Sequence, residues 1–262
     1  MSFSIPTLRA YPIKIGTAST LLLHFNGTDG QTTTIDSSLN NVPITLNSYV
    51  GTPGLSTTSP KFPTASWLNG TSNCGYISFP NSSLFDFGSN DWTIDFWYNC
   101  QSFPETNDAI TMNHLHTNFT NGNGSVGGIV IRRNSLRSNA LRLSISTNGS
   151  SYIIDTSSLH TNFDAFDGAG NANFQVWTHI AIERYGSYIY GYLDGIPNII
   201  SSTFSGSIYY NSSNPIGFGG AFSLPFSTAN VTSAYYDEFR IVNGVALYKG
   251  NTFTPPNSPY TS

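Results

Sequence analysis

The 262 residues carry 39% hydrophobic, 14% aromatic and only 9% charged side chains, with a net charge of −4. So little charge would suit a membrane segment or a disordered chain. Yet no apolar run reaches the ~20 residues of a spanning helix, and 18 Phe with 15 Tyr are too many for disorder. Nucleic-acid binding is excluded as well, because the basic cluster Arg132, Arg133, Arg137 and Arg142 is too sparse for a phosphate-binding surface.

Ser, Thr and Asn, about a third of the chain, replace the charges, alongside 24 Gly and 14 Pro. Turn formers and β-branched or aromatic residues dominate. Three Glu, three Lys and two Met leave little for a long amphipathic helix. The expected fold class is all-β, in one domain.

In chain order, residues 1–18 contain Pro6 and Pro12 without clean periodicity and read as an N-terminal extended arm. The remainder, 19–262, reads as a single domain. Thr20–Phe25 is the first strand. In Thr93–Tyr98, Ile94, Phe96 and Tyr98 share one face of a second. Leu141–Ile145 alternates, meets Asn148-Gly149 and returns through Ser151–Ile154, which predicts a hairpin with a type I′ turn. Trp177–Glu183 is a further strand. Ser187–Leu193 meets Asp194-Gly195 and returns through Ile196–Ser201, a second hairpin. Tyr235–Ile241 alternates again. About a dozen strands of this kind suggest a two-sheet sandwich. Phe253–Tyr260 is Pro-rich, cannot join a central strand, and is expected to wrap over the surface.

Residues 101–127 and 156–174 exceed what strand connections need and carry aromatics, which points to function. Cys74 and Cys100 are too few for a disulfide framework and read as reduced, packed thiols. Met-Ser-Phe-Ser-Ile-Pro lacks the basic and apolar regions of a secretory signal, so assembly in a reducing cytoplasm is expected. Asn-x-Ser/Thr sequons at Asn26, Asn69, Asn148 and Asn211 carry no weight in a chain of this composition.

Several segments resemble a known family. Leu21–Gly30 followed by Asp36-Ser-Ser, Asp91–Trp97, Trp177–Arg184, Tyr192–Gly195 and Tyr235–Ile241 are similar, in order, to the laminin-G-like, concanavalin A-type jelly rolls. Val245–Tyr248 with Phe253–Pro256 resembles the variant common in bacteriophage structural and tail proteins. The resemblance implies an antiparallel jelly-roll β-sandwich with Trp97 and Trp177 as core anchors. It also implies a virion surface protein, present in many copies as a head decoration or a tail-fibre or baseplate appendage. Such a protein would contact other virion proteins through residues 1–18 and the long loops, and bacterial surface glycans through the sandwich. Fold alone does not fix function, so a bacterial lectin or adhesion module and a divergent glycoside hydrolase stand as alternatives.

Hydrolysis on this fold needs carboxylates paired across the sugar. With only Glu105, Glu183 and Glu238, no Glu-x-Asp-x-Glu strand exists; Asp91 and Asp95 share a strand face without a nearby Glu. A non-enzymatic chain is therefore expected, with no catalytic residues. For a metal, the resemblance implies one structural Ca²⁺ at Asp237, helped by Asn26, Thr28 and Asp36, hard oxygen donors that suit this ion. His114-x-His116 would align two imidazoles if it lay on a regular strand. Candidate ligand or partner contacts are His114, His116, Phe119, Phe163, Phe166, Tyr209, Tyr210 and Phe222, aromatic and imidazole groups able to stack on sugars or pack a protein interface.

Overall fold

A computed structural model of the protein describes residues 18–48, 53–70, 75–102, 112–117, 126–133, 141–156, 175–220 and 233–261. The arm 1–17 and residues 157–174 lie outside the described residues, as do Cys74, Phe119, Phe163, Phe166 and Phe222.

Turn-rich sequence between short apolar alternations produces fifteen strands among the described residues. They are β1 (Leu21–Leu23), β2 (Thr45–Ser48), β3 (Gly54–Ser56), β4 (Ser66–Leu68) and β5 (Gly75–Phe79). Next come β6 (Trp92–Ser102), β7 (Met112–His116), β8 (Ile129–Arg133), β9 (Leu141–Ile145) and β10 (Ile154–Asp155). The last five are β11 (Thr178–Tyr185), β12 (Tyr188–Leu193), β13 (Ile196–Ser201), β14 (Ile216–Gly220) and β15 (Ser233–Asn243). One 3-10 turn spans Ser83–Phe85. The first sheet runs β13-β12-β11-β6-β15-β4-β3, with β1 also paired to β15. The second runs β10-β9-β8-β7-β14-β5-β2. Every pairing is antiparallel.

The two inner faces meet in an apolar layer. Period-2 geometry turns Ile94, Phe96, Ile180, Ile182, Tyr236 and Ile241 inward from the first sheet, and Ile77, Leu115, Ile131, Leu143 and Phe218 from the second. Phe218 is fully buried at the centre of an aromatic cluster. Its ring centroid lies 3.9 Å from Phe239, 4.9 Å from Tyr236, 5.7 Å from Phe96 and 6.1 Å from Trp67. Gly219 adopts φ +70°, and a Cβ there would strike the Trp67 ring.

The core tryptophans are Trp67 and Trp92, both fully buried, not Trp97 and Trp177. With Ile94, Phe96 and Tyr98 inward, strand alternation sends Trp97 to the outer face, where it packs on His179 at 5.1 Å. Trp177 is half-buried.

Of the two predicted hairpins, Asp194-Gly195 forms as expected. Leu193 pairs with Ile196 and both turn residues have positive φ (47° and 81°), the type I′ requirement. Asn148-Gly149 does not close a two-residue turn. Ile154 pairs with Ile145, leaving a loop over 146–153. Polar side chains hold that loop: Asn148 Oδ1 accepts the Ser150 and Ser151 amides and Ser146 Oγ accepts the Gly149 amide. These local bonds take the place of ladder bonds.

Candidate functional site

The outer faces of the two sheets differ. That of the first sheet is closed by the segment after β15. Tyr248 donates its amide to Glu183 Oε2 at 2.6 Å and its hydroxyl to Asp95 Oδ2. Its ring stacks on Phe253 at 3.7 Å. The Phe253 amide reaches the Gly195 carbonyl, an approach open only because residue 195 has no Cβ. Tyr260 donates its amide to Glu238 Oε2 at 2.6 Å, and its hydroxyl is hydrogen-bonded to His179 Nε2 at 2.8 Å.

Beneath this strap lie the acids that a hydrolase would need. Asp95 is bidentate to Arg240 at 2.9 and 2.5 Å. Burial alone would raise its pKa, but the Arg240 guanidinium holds it below the usual carboxylate range. Glu183 accepts the Tyr192 hydroxyl, the Tyr248 amide and the Gly250 amide, and burial pushes its pKa up. Glu238 occupies a β-bulge at φ 52°, bonded to His24 Nδ1 at 2.7 Å and to Tyr260. Asp91 accepts the Gly186 amide. Each of these four carboxylates has structural partners and the first three are buried; Glu105 lies outside the described residues.

The residues implied as Ca²⁺ ligands engage the protein itself. Asp36 accepts four bonds, from the amides of Leu22, Ser38 and Val42 and the Ser38 hydroxyl. Asn26 Oδ1 accepts the Thr64 amide, and Thr28 sits in an exposed turn closed by Gln31. Asp237 Oδ2 accepts the Lys61 and Phe62 amides, whereas its buried Oδ1 has no hydrogen-bond partner. Among the described residues, no three His, Cys, Asp or Glu side chains gather in metal-binding reach. The Lys61 ammonium lies 3.6 Å from the centre of the Trp97 ring; burial lowers its pKa, against the pull of Asp194 and then Asp237.

Two buried groups here titrate in opposite senses. Burial drives His179 down to about 4 and Asp237 up to about 8. Between pH 8 and 6.5, the folded state holds a proton on Asp237 that the unfolded chain releases, so stability should rise as pH falls. Between pH 6.5 and 4, unfolded His179 binds a proton that the folded state refuses. Alone this removes up to about 3 kcal/mol, since each tenfold loss of proton affinity on folding costs about 1.4 kcal/mol; in the parent the proton that folded Asp237 still holds offsets it, so the curve flattens below pH 6.5. Urea unfolding of His179→Asn and Asp237→Asn against the parent across pH 4–8 should separate the two slopes. Loss of neither slope would refute the assignments.

The outer face of the second sheet is built differently. Register aligns Asp155, Ser144, Val130, His116, Gly217, Ser78 and Thr45 in one row across all seven strands. It is a polar row broken only by Val130 and Gly217. Ser144 Oγ donates to Asp155 at 2.6 Å, and Asn47 Nδ2 donates to Ser78 Oγ at 2.9 Å. Ser144 and His116 are buried, Ser78 is half-buried, and Asp155 and Thr45 are exposed.

Tyr209 lies at the same end as His116. A Cβ on Gly127 would meet His116 Cε1 and the Thr117 carbonyl, one on Gly128 the Tyr209 carbonyl, and one on Gly149 the Tyr209 ring. The Tyr209 amide donates to the Ser146 carbonyl, and the Tyr210 hydroxyl to the Asn81 carbonyl. Both tyrosines are half-buried. The structure thus brings Tyr209 near His116, a central member of the row, while Tyr210 turns to Asn81. His114 falls at a bulge between Asn113 and Leu115, which interrupts the alternation that would align it with His116. Sequence reasoning missed Asp155, Ser144, Ser78 and Thr45. The alternation Leu-Arg-Leu-Ser-Ile marked Ser144 as outward, but nothing local told which strands would flank it.

Two packed antiparallel sheets, one with its outer face strapped and the other with a polar row across its outer face, define a lectin-like jelly roll. Residues 69–247 match the Laminin_G_3 family, described as the concanavalin A-like lectin/glucanases superfamily, and the chain belongs to it. A search of curated proteins gave no match. Among solved structures, the chain is similar to the binding domain of Paraclostridial Mosquitocidal Protein 1 (19% identity, TM-score 0.59, 87% of this chain and 49% of that one). It is also similar to the binding domain of botulinum neurotoxin serotype C1 (17%, 0.59, 87% and 49%). A third likeness is to the binding domain of botulinum neurotoxin DC in complex with SialylT (16%, 0.56, 87% and 48%). The chain spans about half the length of these structures, and at such identity the likeness speaks for the fold. These neighbours are binding domains. Among the described residues no helix is long and apolar enough to cross a membrane.

Proposed function

We propose that this chain is a non-enzymatic carbohydrate-binding module, and that it is displayed on the surface of a bacteriophage virion. The observation that carries the binding reading is the polar row across the second sheet, exposed at Asp155 and Thr45 and running through His116, near which Tyr209 packs. Hydroxyl, amide, imidazole and carboxylate groups in a row match the alternating donors and acceptors of a glycan, and tyrosine rings match its apolar faces. The carboxylates of the first sheet, held under the strap, support the absence of hydrolysis. Binding domains of the same fold carry glycan partners: one structure is described by the dependence of botulinum neurotoxin type C cell entry on two ganglioside molecules. Virion display rests on the ending Val245–Tyr248 and Phe253–Pro256 and its resemblance to phage structural proteins. An electrically quiet surface suits dense display of many copies.

A glycan array should return binders for the parent. His116→Ala and Tyr209→Ala should each weaken them about tenfold, the loss of one good polar or ring contact. No release of reducing ends from the bound polysaccharide is expected. An empty array would refute the binding reading, and released sugar would refute the non-enzymatic one. Mass spectrometry of purified phage particles decides the display reading, which fails if the chain is found only in bacterial cell envelopes.

A further inference from the structure

The strap leaves one part of the first sheet's outer face uncovered. An aromatic series runs outward from beneath it: Tyr248 to Tyr192 at 5.3 Å, Tyr192 to Tyr190 at 6.1 Å, and Tyr190 to Tyr188 at 5.7 Å with the last two planes 18° apart. Tyr188, Tyr190 and Tyr192 alternate along β12 and so share this face. The strap stops at Tyr190, whose ring lies where a Cβ on Gly250 would be. Beyond it, Tyr188 is 40% exposed and Tyr185, its cross-strand partner on β11, 41% exposed. Ile199 on β13, paired with Tyr190, is 57% exposed and flanks the series.

Of the charged residues nearby, Asp91 holds the Gly186 amide in the turn between Tyr185 and Tyr188, and Lys249 precedes Gly250 in the strap; two others turn away. Glu183 is buried on Tyr192 and Tyr248. Arg184 is buried too, donating to the Gly186 and Gly206 carbonyls with its guanidinium 4.8 Å from the Phe204 ring centre.

We infer that Tyr185, Tyr188 and the supporting Tyr190 form a second carbohydrate-stacking site, on the face opposite the polar row, for an uncharged glycan. The ladder beneath fixes the Tyr188 ring, so little side-chain freedom is lost when a ligand docks. A pyranose offers one face of C–H bonds, polarised positive, to the negative face of an aromatic ring. The phenol hydroxyls then lie at the rim, beside the sugar's own. The Asp91 carboxylate at this turn disfavours a sialylated or sulfated sugar and leaves a neutral one. A protein partner is a poor fit: stable interfaces engage roughly 20–30 residues a side, and this patch is a few rings at a hairpin end. The inference rests on the carbohydrate-binding reading above but concerns different residues.

The test titrates laminarihexaose, cellohexaose and N-acetylchitohexaose into the full chain labelled with ¹³C-tyrosine, reading aromatic shifts and Kd. At least one of them should move Tyr185 and Tyr188. Tyr188→Ala should lose about tenfold in affinity, the worth of one ring contact, while Tyr188→Phe keeps it. Tyr188 is exposed, and an unchanged melting temperature verifies that the variants fold. Shifts confined to Tyr209 and Tyr210, with equal affinity in Tyr188→Ala, would overturn the second site and leave the first standing. No response to any of the three sugars also overturns it, while the array separately decides the polar row. Self-association of the parent that disappears in Tyr188→Ala would assign the patch to a second copy of the chain and overturn the sugar reading.

Discussion

Replacing Arg240 with Met should destabilise the protein by about 3–5 kcal/mol, the cost of leaving a buried carboxylate without its partner. Asp95 is fully buried and receives two bonds from the guanidinium. The same guanidinium lies 3.9 Å from the Tyr260 ring centre, so the strap loosens as well. Its own pKa is raised, because the nearby Asp95 outweighs burial. The double variant Asp95→Leu/Arg240→Met should recover much of the loss, since a neutral pair of similar volume carries no desolvation penalty. Urea unfolding measures both. A single variant within about 1 kcal/mol of the parent, the worth of a surface pair, would show that solvent reaches Asp95 and that the strap does not seal this face.

Phe218→Ala should cost a similar amount, about 3–5 kcal/mol, as large aromatic truncations in packed cores do. Phe218, on the second sheet, packs against rings of the first, with Phe239 at 3.9 Å and Tyr236 at 4.9 Å, so truncation leaves a cavity between the two sheets. Phe218→Leu should cost less, because it fills part of the volume. Calorimetry should show a lower melting temperature with one cooperative transition. Separate melting of the two sheets would contradict a shared core.

The fold was legible where burial writes a period-2 pattern into neighbouring residues. Tyr235–Ile241, Ile94–Tyr98 and the Asp194-Gly195 hairpin are local in this sense, and each forms. Trp97 reads as a core anchor because size favours burial without saying on which face, and Lys61, Phe62 and His179 pack on it from outside. Asn148-Gly149 failed as a tight turn because Ser146 and Asn148 bind the backbone themselves. The candidate site was only partly legible. His116, Tyr209 and Tyr210 stood out by residue type, but Ser78 and Ser144 are ordinary outward positions until lateral register joins them. The Asp95–Arg240 pair spans 145 positions, and its partners follow from sheet order, which no local pattern encodes.

The strap has a consequence for how the chain is made. Tyr248, Phe253 and Tyr260 bind groups on β6, β11 and β15 and the turn at Gly195, so the sandwich cannot finish while those residues remain inside the ribosome. During translation at ~5–20 residues per second, the nascent chain carries the Asp95, Glu183 and His179 face open to water until Tyr260 emerges. Closure of this face thereby waits for every strand to be synthesised, and a stalled or truncated product would expose polar and aromatic surface that quality control can recognise.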